Sequence, residues 1–298
     1  MTFLLTGGTG FIGKKIRSVL LQQGHNVIII TRSPKRYQVE GVKNETFIGW
    51  DNDLSSIMAN VDVVINLVGE NVFGQKWDNE VKSRIYDSRI LNTRTLVDAM
   101  KKTSNKPDLF ISASAIGYYG EDSLELKDES SEAGTDFLAN VTKDWEAEAL
   151  KAEEIDVRVA LPRIGIVLEK DGGALEKMIP PFTFFVGGPI GNGEQFMSWI
   201  HLEDACNAIL FPVEKEGLHG AYNVVAPAPV TMNTFCSILG HVMQRPSIFR
   251  VPEFVVEWMF GEAANTILGS IKVQPKVLQS HEFEFQYEEL EDALNDIL

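Results

Sequence analysis

The sequence predicts an α/β fold, a doubly wound parallel sheet followed by a smaller C-terminal lobe, and three observations carry that expectation. Residues 2–6 form an apolar strand that runs straight into Thr6-Gly7-Gly8-Thr9-Gly10-Phe11-Ile12-Gly13 and then into an amphipathic segment. Short apolar segments alternate with helical patterns as far as residue 168. Beyond it the alternation stops, and Gly and Pro punctuate Gly187-Gly188-Pro189-Ile190-Gly191-Asn192-Gly193 and Ala226-Pro227-Ala228-Pro229.

The glycines after the first strand each have a reason. Gly7 permits the tight turn, Gly10 lets backbone approach a phosphate with no Cβ in the way, and Gly13 lets the helix near 11–23 pack closely on the sheet. That helix begins with free N–H groups and the positive end of its dipole, which suits a pyrophosphate held by Gly7, Thr9, Gly10, Phe11, Ile12 and Gly13. A second strand, Asn26 to Thr31, completes a βαβ unit. Strands near 45–49, 62–67, 108–113 and 156–162 alternate with helices near 53–59, 79–102 and 134–153, since each crossover between parallel strands must pass over a face of the sheet. Ligands of such Rossmann sheets lie outside the carboxyl ends of the strands. Gly7, Arg32, Trp50-Asp51, Asn66-Leu67-Val68-Gly69 and Ser112-Ala113-Ser114 all follow strand ends, and Asn66, Val68 and Gly69 are therefore expected beside the cofactor. Residues 1–168 read as the dinucleotide-binding core and 169–298 as a smaller mixed lobe, with helices near 203–213, 231–243, 252–268 and 287–298.

The end of the second strand selects the dinucleotide. An NAD site carries Asp or Glu there, about 20 residues past the glycines, to bond the ribose 2′-hydroxyl. This chain instead has Thr31-Arg32-Ser33-Pro34-Lys35-Arg36, with Arg32 19 positions past Gly13. A guanidinium and a hydroxyl without a competing carboxylate suit the 2′-phosphate of NADP(H).

Composition bounds the partners. The 298 residues are 44% hydrophobic and carry a net charge of −15, which argues against nucleic acid and anionic membranes, while a local basic pocket can still hold an anionic substrate. Cys206 and Cys236 are too few and too far apart for a metal site or a disulfide framework. No apolar run approaches the ~20 residues of a membrane helix and no signal peptide precedes the first strand, so a cytoplasmic place is expected. The expected partner is a small molecule, with a homodimer left open.

The run Thr6 to Gly13, with Asn66 to Gly69, Ser112 to Ser114, Lys143 and Gln195-Phe196-Met197-Ser198-Trp199-Ile200-His201-Leu202-Glu203-Asp204, resembles the extended short-chain dehydrogenase/reductase superfamily of epimerase/dehydratase type. Asn66 to Asn71, Trp77, Ser88-Arg89, Ser112 to Gly120 and Asp144-Trp145-Glu146 look more closely like its epimerase-like branch. That branch ends in a short segment of unknown function, matched here from about residue 245 by Arg245-Pro246, Gly261-Glu262, Pro275-Lys276 and Leu278.

The resemblance implies a catalytic Ser with a Tyr-x-x-x-Lys pair, in which Tyr moves a proton, Lys holds the ribose and Ser orients the substrate oxygen. Ser114 and Lys143 match, but Ala139, 25 positions after Ser114, stands where the Tyr belongs. Tyr118 is the expected replacement acid. Arg89 stands where epimerases usually place an Asn. Lys82 and Arg89, seven apart on one helix face, are expected in the substrate cleft with Glu70, Asn71 and Trp77 around them, and His201 on its rim. These residues point to an NADP(H)-dependent oxidoreductase or epimerase-like enzyme acting on a small polar or anionic carbonyl or alcohol, such as a nucleotide sugar. The missing Tyr keeps a second reading open: a non-catalytic NADP(H)-binding regulator or redox sensor acting through a partner protein.

Overall fold

The computed structural model describes residues 1–37, 43–73 and 75–298. The chain begins with β1 (Thr2–Thr6), α1 (Phe11–Gln22), β2 (Asn26–Ile30), β3 (Glu45–Ile48), α2 (Leu54–Met58), β4 (Val63–Asn66), α3 (Asn79–Lys102), β5 (Leu109–Ser112) and β6 (Ser114–Ala115). It continues through β7 (Asp122–Lys127), α4 (Phe137–Leu150), β8 (Arg158–Ile164), β9 (Ile166–Glu169), α5 (Gly173–Thr183), β10 (Phe196–Met197), β11 (Trp199–His201), α6 (Leu202–Glu214) and β12 (Gly220–Val224). The remainder is β13 (Val230–Thr231), α7 (Met232–Met243), α8 (Glu253–Phe260), α9 (Ala264–Leu268), β14 (Ser270–Val273), α10 (Lys276–Ser280) and α11 (Leu290–Ile297).

The central sheet runs β12-β8-β5-β4-β1-β2-β3, every pair parallel, with β6 extending the β8 edge of β5. Strand alternation sends successive side chains to opposite faces. Phe3, Leu5, Val27, Ile29, Val63, Ile65, Leu109 and Ile111 pack one face against Ile16 and Leu20 of α1 and Ala205 and Ile209 of α6. Leu4, Ile30, Val64, Phe110, Val159 and Leu161 pack the other against Leu54 and Met58 of α2, Leu96 and Met100 of α3, and Ala149 of α4. Both faces are therefore dry, as a parallel sheet requires. Asp78 caps α3 by accepting from the Val81 N–H at 2.8 Å, and Lys101 and Lys102 oppose the helix dipole at its far end.

The six strands and four helices expected before residue 168 are present within three residues at every boundary. The lobe boundary is less clean than the sequence suggests. After β9 the chain builds α5, but it then returns to the sheet, laying α6 on one face and β12 at the edge. The sheet thus draws on both sides of residue 168. β12 was illegible because Gly220-Ala221-Tyr222-Asn223-Val224 has no continuous apolar run, although Tyr222 and Val224 are wholly buried. The single helix expected over 252–268 is broken at Gly261, whose φ of 59° ends α8 before α9 begins. The C-terminal segment is bound to the first half as well: β14 pairs in parallel with β7. No helix among the described residues is long and apolar enough to cross a membrane.

Candidate functional site

The turn between β1 and α1 is built as a cradle. Gly7 has a φ of 70°, and a Cβ on it would meet the Leu67 carbonyl oxygen at 2.8 Å. A Cβ on Gly13 would overlap the Gly7 carbonyl oxygen, so this glycine lets the first helical turn close on the loop itself. Gly10 caps α1 with no side-chain hydrogen bond, and among the described residues the N–H groups of Phe11, Ile12 and Gly13 find no protein acceptor. Such N–H groups, at the positive end of a 12-residue helix, form an anion site. Phe11 lies against Gly172, where any Cβ would strike its ring, and beside Gly173, so the start of α5 packs onto the cradle. Thr9 is half-buried beside it.

Asn66 does something other than face the cofactor. Its side chain is wholly buried, accepting from the Thr6 hydroxyl at 2.7 Å and donating to the hydroxyls of Thr93 at 2.9 Å and Ser112 at 3.1 Å. It ties β1, β4, β5 and α3 together at the carboxyl edge, and a wholly buried amide with both N–H donors spent inside the protein is turned away from a ligand. This corrects its expected cofactor contact. Val68 is half-buried and Gly69 exposed just beyond it, so these two remain at the cleft. At the end of β2, Arg32 and Ser33 are exposed. Among the described residues neither side chain has a hydrogen-bond or ion-pair partner.

Arg89 reaches the same edge from α3. Its guanidinium lies where a Cβ on Gly69 would meet it at 3.0 Å, 5.2 Å over the Trp145 ring, with one N–H donated to the Ile85 carbonyl at 2.9 Å. Burial lowers its pKa to about 10, against the nearby Glu70 carboxylate, which raises it. The group therefore stays cationic at neutral pH, short of hydration and of hydrogen-bond acceptors. Lys82, two turns earlier, is paired instead with Glu262 of the C-terminal segment, its ammonium 5.2 Å over the Phe137 ring. Only Arg89 of the expected pair faces Gly69; Lys82 bridges α3 to the turn after α8. Trp77 donates its indole N–H to the Val72 carbonyl at 2.9 Å and packs edge-on to Phe137. Glu70 is held by the Ser88 hydroxyl, which accepts from its N–H at 2.9 Å, and the exposed Asn71 accepts from the Phe73 N–H.

The expected proton relay is not assembled. Ser114 is 3% exposed and donates its hydroxyl to Glu146 at 2.5 Å. Glu146 in turn makes two bonds of 2.8 Å to Arg163, which donates to the Tyr119 hydroxyl at 3.0 Å; Tyr119 donates to Asn223 at 2.7 Å. Ser114 thus belongs to a buried network under β8, which corrects the expectation of an open, substrate-orienting hydroxyl. Burial raises the Tyr119 phenol to about 12, against the neighbouring guanidinium. Tyr118 is half-buried, its ring 3.4 Å beneath the Arg163 guanidinium, and packed with Ile116, Val225 and Val273. Among the described residues its hydroxyl makes no hydrogen bond. Ala139 is completely buried, so no open gap marks the missing phenol, while Lys143, one turn on, is exposed.

His201 is also placed differently from the expectation. It is 2% exposed at the end of β11, its Nδ1 accepting from the Glu203 N–H at 3.1 Å as the cap of α6, its ring 4.0 Å from that of Tyr287, and its Nε2 3.3 Å from Asp296. A capping imidazole wedged beneath α11 is not a rim residue, and burial lowers its pKa. Sequence reasoning missed Arg163 altogether. Its signal was a cation inside the apolar run Val157 to Ile164, where a charge requires a partner. A cavity of about 580 Å³ between Tyr119, Gly120, Asp136, Asn265 and Leu268 joins the first half to the C-terminal segment, and none of the cofactor-cradle residues lines it.

Comparison with known proteins agrees with this architecture. The sequence profile of the NAD dependent epimerase/dehydratase family matches residues 3–163, and that of a domain of unknown function, DUF1731, matches residues 251–297. The chain is 40% identical over 303 residues to the epimerase family protein SDR39U1 homolog, chloroplastic, of Arabidopsis thaliana, covering 100% of this chain and 87% of that one. It is 37% identical to the epimerase family protein YfhF of Bacillus subtilis, covering 100% and 98%. Among solved structures, human epimerase family protein SDR39U1 with NADPH superposes with a TM-score of 0.90 at 30% identity, covering 100% of this chain and 99% of that one. UDP-glucuronic acid 4-epimerase from Bacillus cereus has a TM-score of 0.79 at 18% identity, covering 100% and 98%, a likeness of fold.

Proposed function

The chain belongs to the NAD dependent epimerase/dehydratase family, and from that premise we propose that it binds NADP(H) and acts as an oxidoreductase or epimerase-like enzyme on a small anionic carbonyl or alcohol. The cradle fits a dinucleotide: Gly7 and Gly13 leave no room for a Cβ against Leu67 and the Gly7 carbonyl, which keeps the turn tight, and among the described residues the first N–H groups of α1 are unspent. Gly7, Gly10, Phe11, Ile12 and Gly13 would hold the pyrophosphate, Thr9 would lie beside it, Arg32 and Ser33 would take the 2′-phosphate, and Val68, Gly69 and Lys143 would flank the nicotinamide half. NADPH, when bound, supplies a hydride.

The observation that carries the substrate class is Arg89, a cation with no carboxylate partner within salt-bridge distance among the described residues, set beside Gly69 at the carboxyl edge. It would pair with the carboxylate or phosphate of the substrate and orient it, with Glu70, Asn71 and Trp77 shaping the wall. Tyr118 is the proposed proton donor because among the described residues its hydroxyl has no hydrogen-bond partner, whereas that of Tyr119 is held by Asn223 and Arg163. Lys82 takes no part in this proposal, since Glu262 neutralises it.

The dismantled relay favours a second reading, a non-catalytic NADP(H)-binding regulator or redox sensor working through a partner. NADPH consumption across a panel of small keto acids and phosphorylated carbonyls separates the two. Consumption that is lost in Arg89→Met supports the enzyme; NADPH binding without consumption on any member supports the regulator.

A further inference from the structure

The Arg89 guanidinium is not fixed by its own hydrogen bonds. One N–H goes to the Ile85 carbonyl at 2.9 Å, and among the described residues the group has no other acceptor, although a guanidinium carries five N–H donors. A long side chain tied at one point still has rotamer freedom to lose when it meets an anion. Beneath the guanidinium lies the indole of Trp145, its ring centre 5.2 Å from the guanidinium carbon. Trp145 belongs to α4, is 5% exposed and packs with Ile90 of α3 and with Ala113. The contact is thus made away from water, where a cation–π pair is strongest.

The indole is itself fastened. Its N–H donates to the Thr93 hydroxyl at 2.9 Å, and Thr93 is wholly buried one turn beyond Arg89 on α3. Residues four apart share a helix face, so α3 meets one ring at two places, with the guanidinium over its face and the hydroxyl at its N–H. The same hydroxyl accepts from Asn66 at 2.9 Å, and Asn66 accepts from Thr6, the residue just before Gly7. A continuous chain of contacts therefore runs from the cradle turn through Asn66, Thr93 and Trp145 to Arg89.

We propose that Trp145 is a positioning residue: its ring, pinned by Thr93, holds the Arg89 guanidinium against Gly69 in the orientation that receives an anion, at a fixed place relative to the cradle turn. The proposal rests on the reading of Arg89 as the substrate cation. Trp145 acts through Arg89 alone, by sparing it the ordering that binding would otherwise require. An indole that merely filled space would stabilise the two helices equally well, so the test must read the guanidinium and not stability.

Two measurements on the full chain loaded with NADPH do so. The first is the Nε–H resonance of Arg89 in arginine-labelled protein, assigned by its disappearance in Arg89→Met; the second is calorimetric titration with malonate. In the unsubstituted protein the ring current of the indole should displace the resonance from those of exposed arginines. Trp145→Leu should return it to them and raise the malonate dissociation constant about tenfold, the loss of a desolvated cation–π contact. Trp145→Phe, which keeps a ring beneath the cation, should preserve most of both, and in an Arg89→Met background Trp145→Leu should add nothing further. If Trp145→Leu does not fold, Thr93→Val, which removes the acceptor of the indole N–H, should shift the same resonance. A resonance indifferent to the substitution overturns the proposal, as does malonate affinity that survives Trp145→Leu but is lost in Arg89→Met. Malonate that binds the unsubstituted protein and Arg89→Met equally, or neither, sinks the substrate reading instead, and the resonance alone then judges the positioning.

Discussion

Arg163→Met is the perturbation whose cost the structure defines most sharply. The guanidinium and the Glu146 carboxylate are 5% and 8% exposed and share two bonds of 2.8 Å. Removing the cation leaves a buried carboxylate with the Ser114 hydroxyl as its remaining partner among the described residues, and takes a donor from Tyr119 and the cation over the Tyr118 ring. Breaking one side of such a pair costs about 3–5 kcal/mol. For a chain of this size that corresponds to a fall in melting temperature of roughly 6–15 °C. Scanning calorimetry measures it, and Arg163→Met with Glu146→Leu should recover part of the loss, because replacing both ions by apolar groups avoids the stranded charge. A single variant that melts within about 2 °C of the unsubstituted protein, no more than the shift ~1 kcal/mol produces, would refute the view that this pair holds the end of β8.

Ser114→Ala should lower stability by about 1.5–3 kcal/mol, the range for a hydrogen bond to a charged group, while leaving NADPH affinity unchanged; lost affinity with unchanged melting would restore Ser114 to the cleft. His201 sits among Asp296, Asp204, Glu203 and Glu169, yet burial holds its pKa below the usual 6.5. The unfolded chain therefore takes up the proton first, and stability is lost as the pH falls below about 6.5. His201→Asn keeps a cap acceptor and removes the titration, so its stability should fall less steeply between roughly pH 6.5 and 5.5; parallel denaturation curves would count against this. Arg89→Met should weaken binding of small dicarboxylates or phosphorylated carbonyls at least about tenfold, as loss of a charge-assisted bond predicts, read by calorimetry on the NADPH-loaded protein. Equal binding by both forms would remove Arg89 from the substrate site.

The cradle and the sheet were legible because both follow from local rules: glycines where no Cβ fits, apolar runs of strand length and caps such as Asp78. The succession of β1 to β5 and β8 along the chain followed from the same alternation, while their order in the sheet did not. The site was harder to read. Arg89 could be placed on the correct helix face by periodicity, but Lys82 shares that periodicity and is claimed by Glu262, a residue 180 positions away. Ser114 and Asn66 follow strand ends as cofactor residues do, yet each is consumed by a buried partner brought in from a different element. Spacing along the chain cannot show who else competes for a hydroxyl or an amide. β12 was lost for a related reason, since its burial comes from neighbours and not from its own composition.

The central claim is that the end of β2 is built for a 2′-phosphate. Titration calorimetry of the full chain with NADPH and with NADH tests it directly. NADPH should bind roughly tenfold to a hundredfold more tightly, the range expected for one charge-assisted contact at a solvent-facing site, and Arg32→Ala should remove most of that difference while leaving NADH affinity nearly unchanged. Equal affinities of the unsubstituted protein for the two dinucleotides would contradict the account.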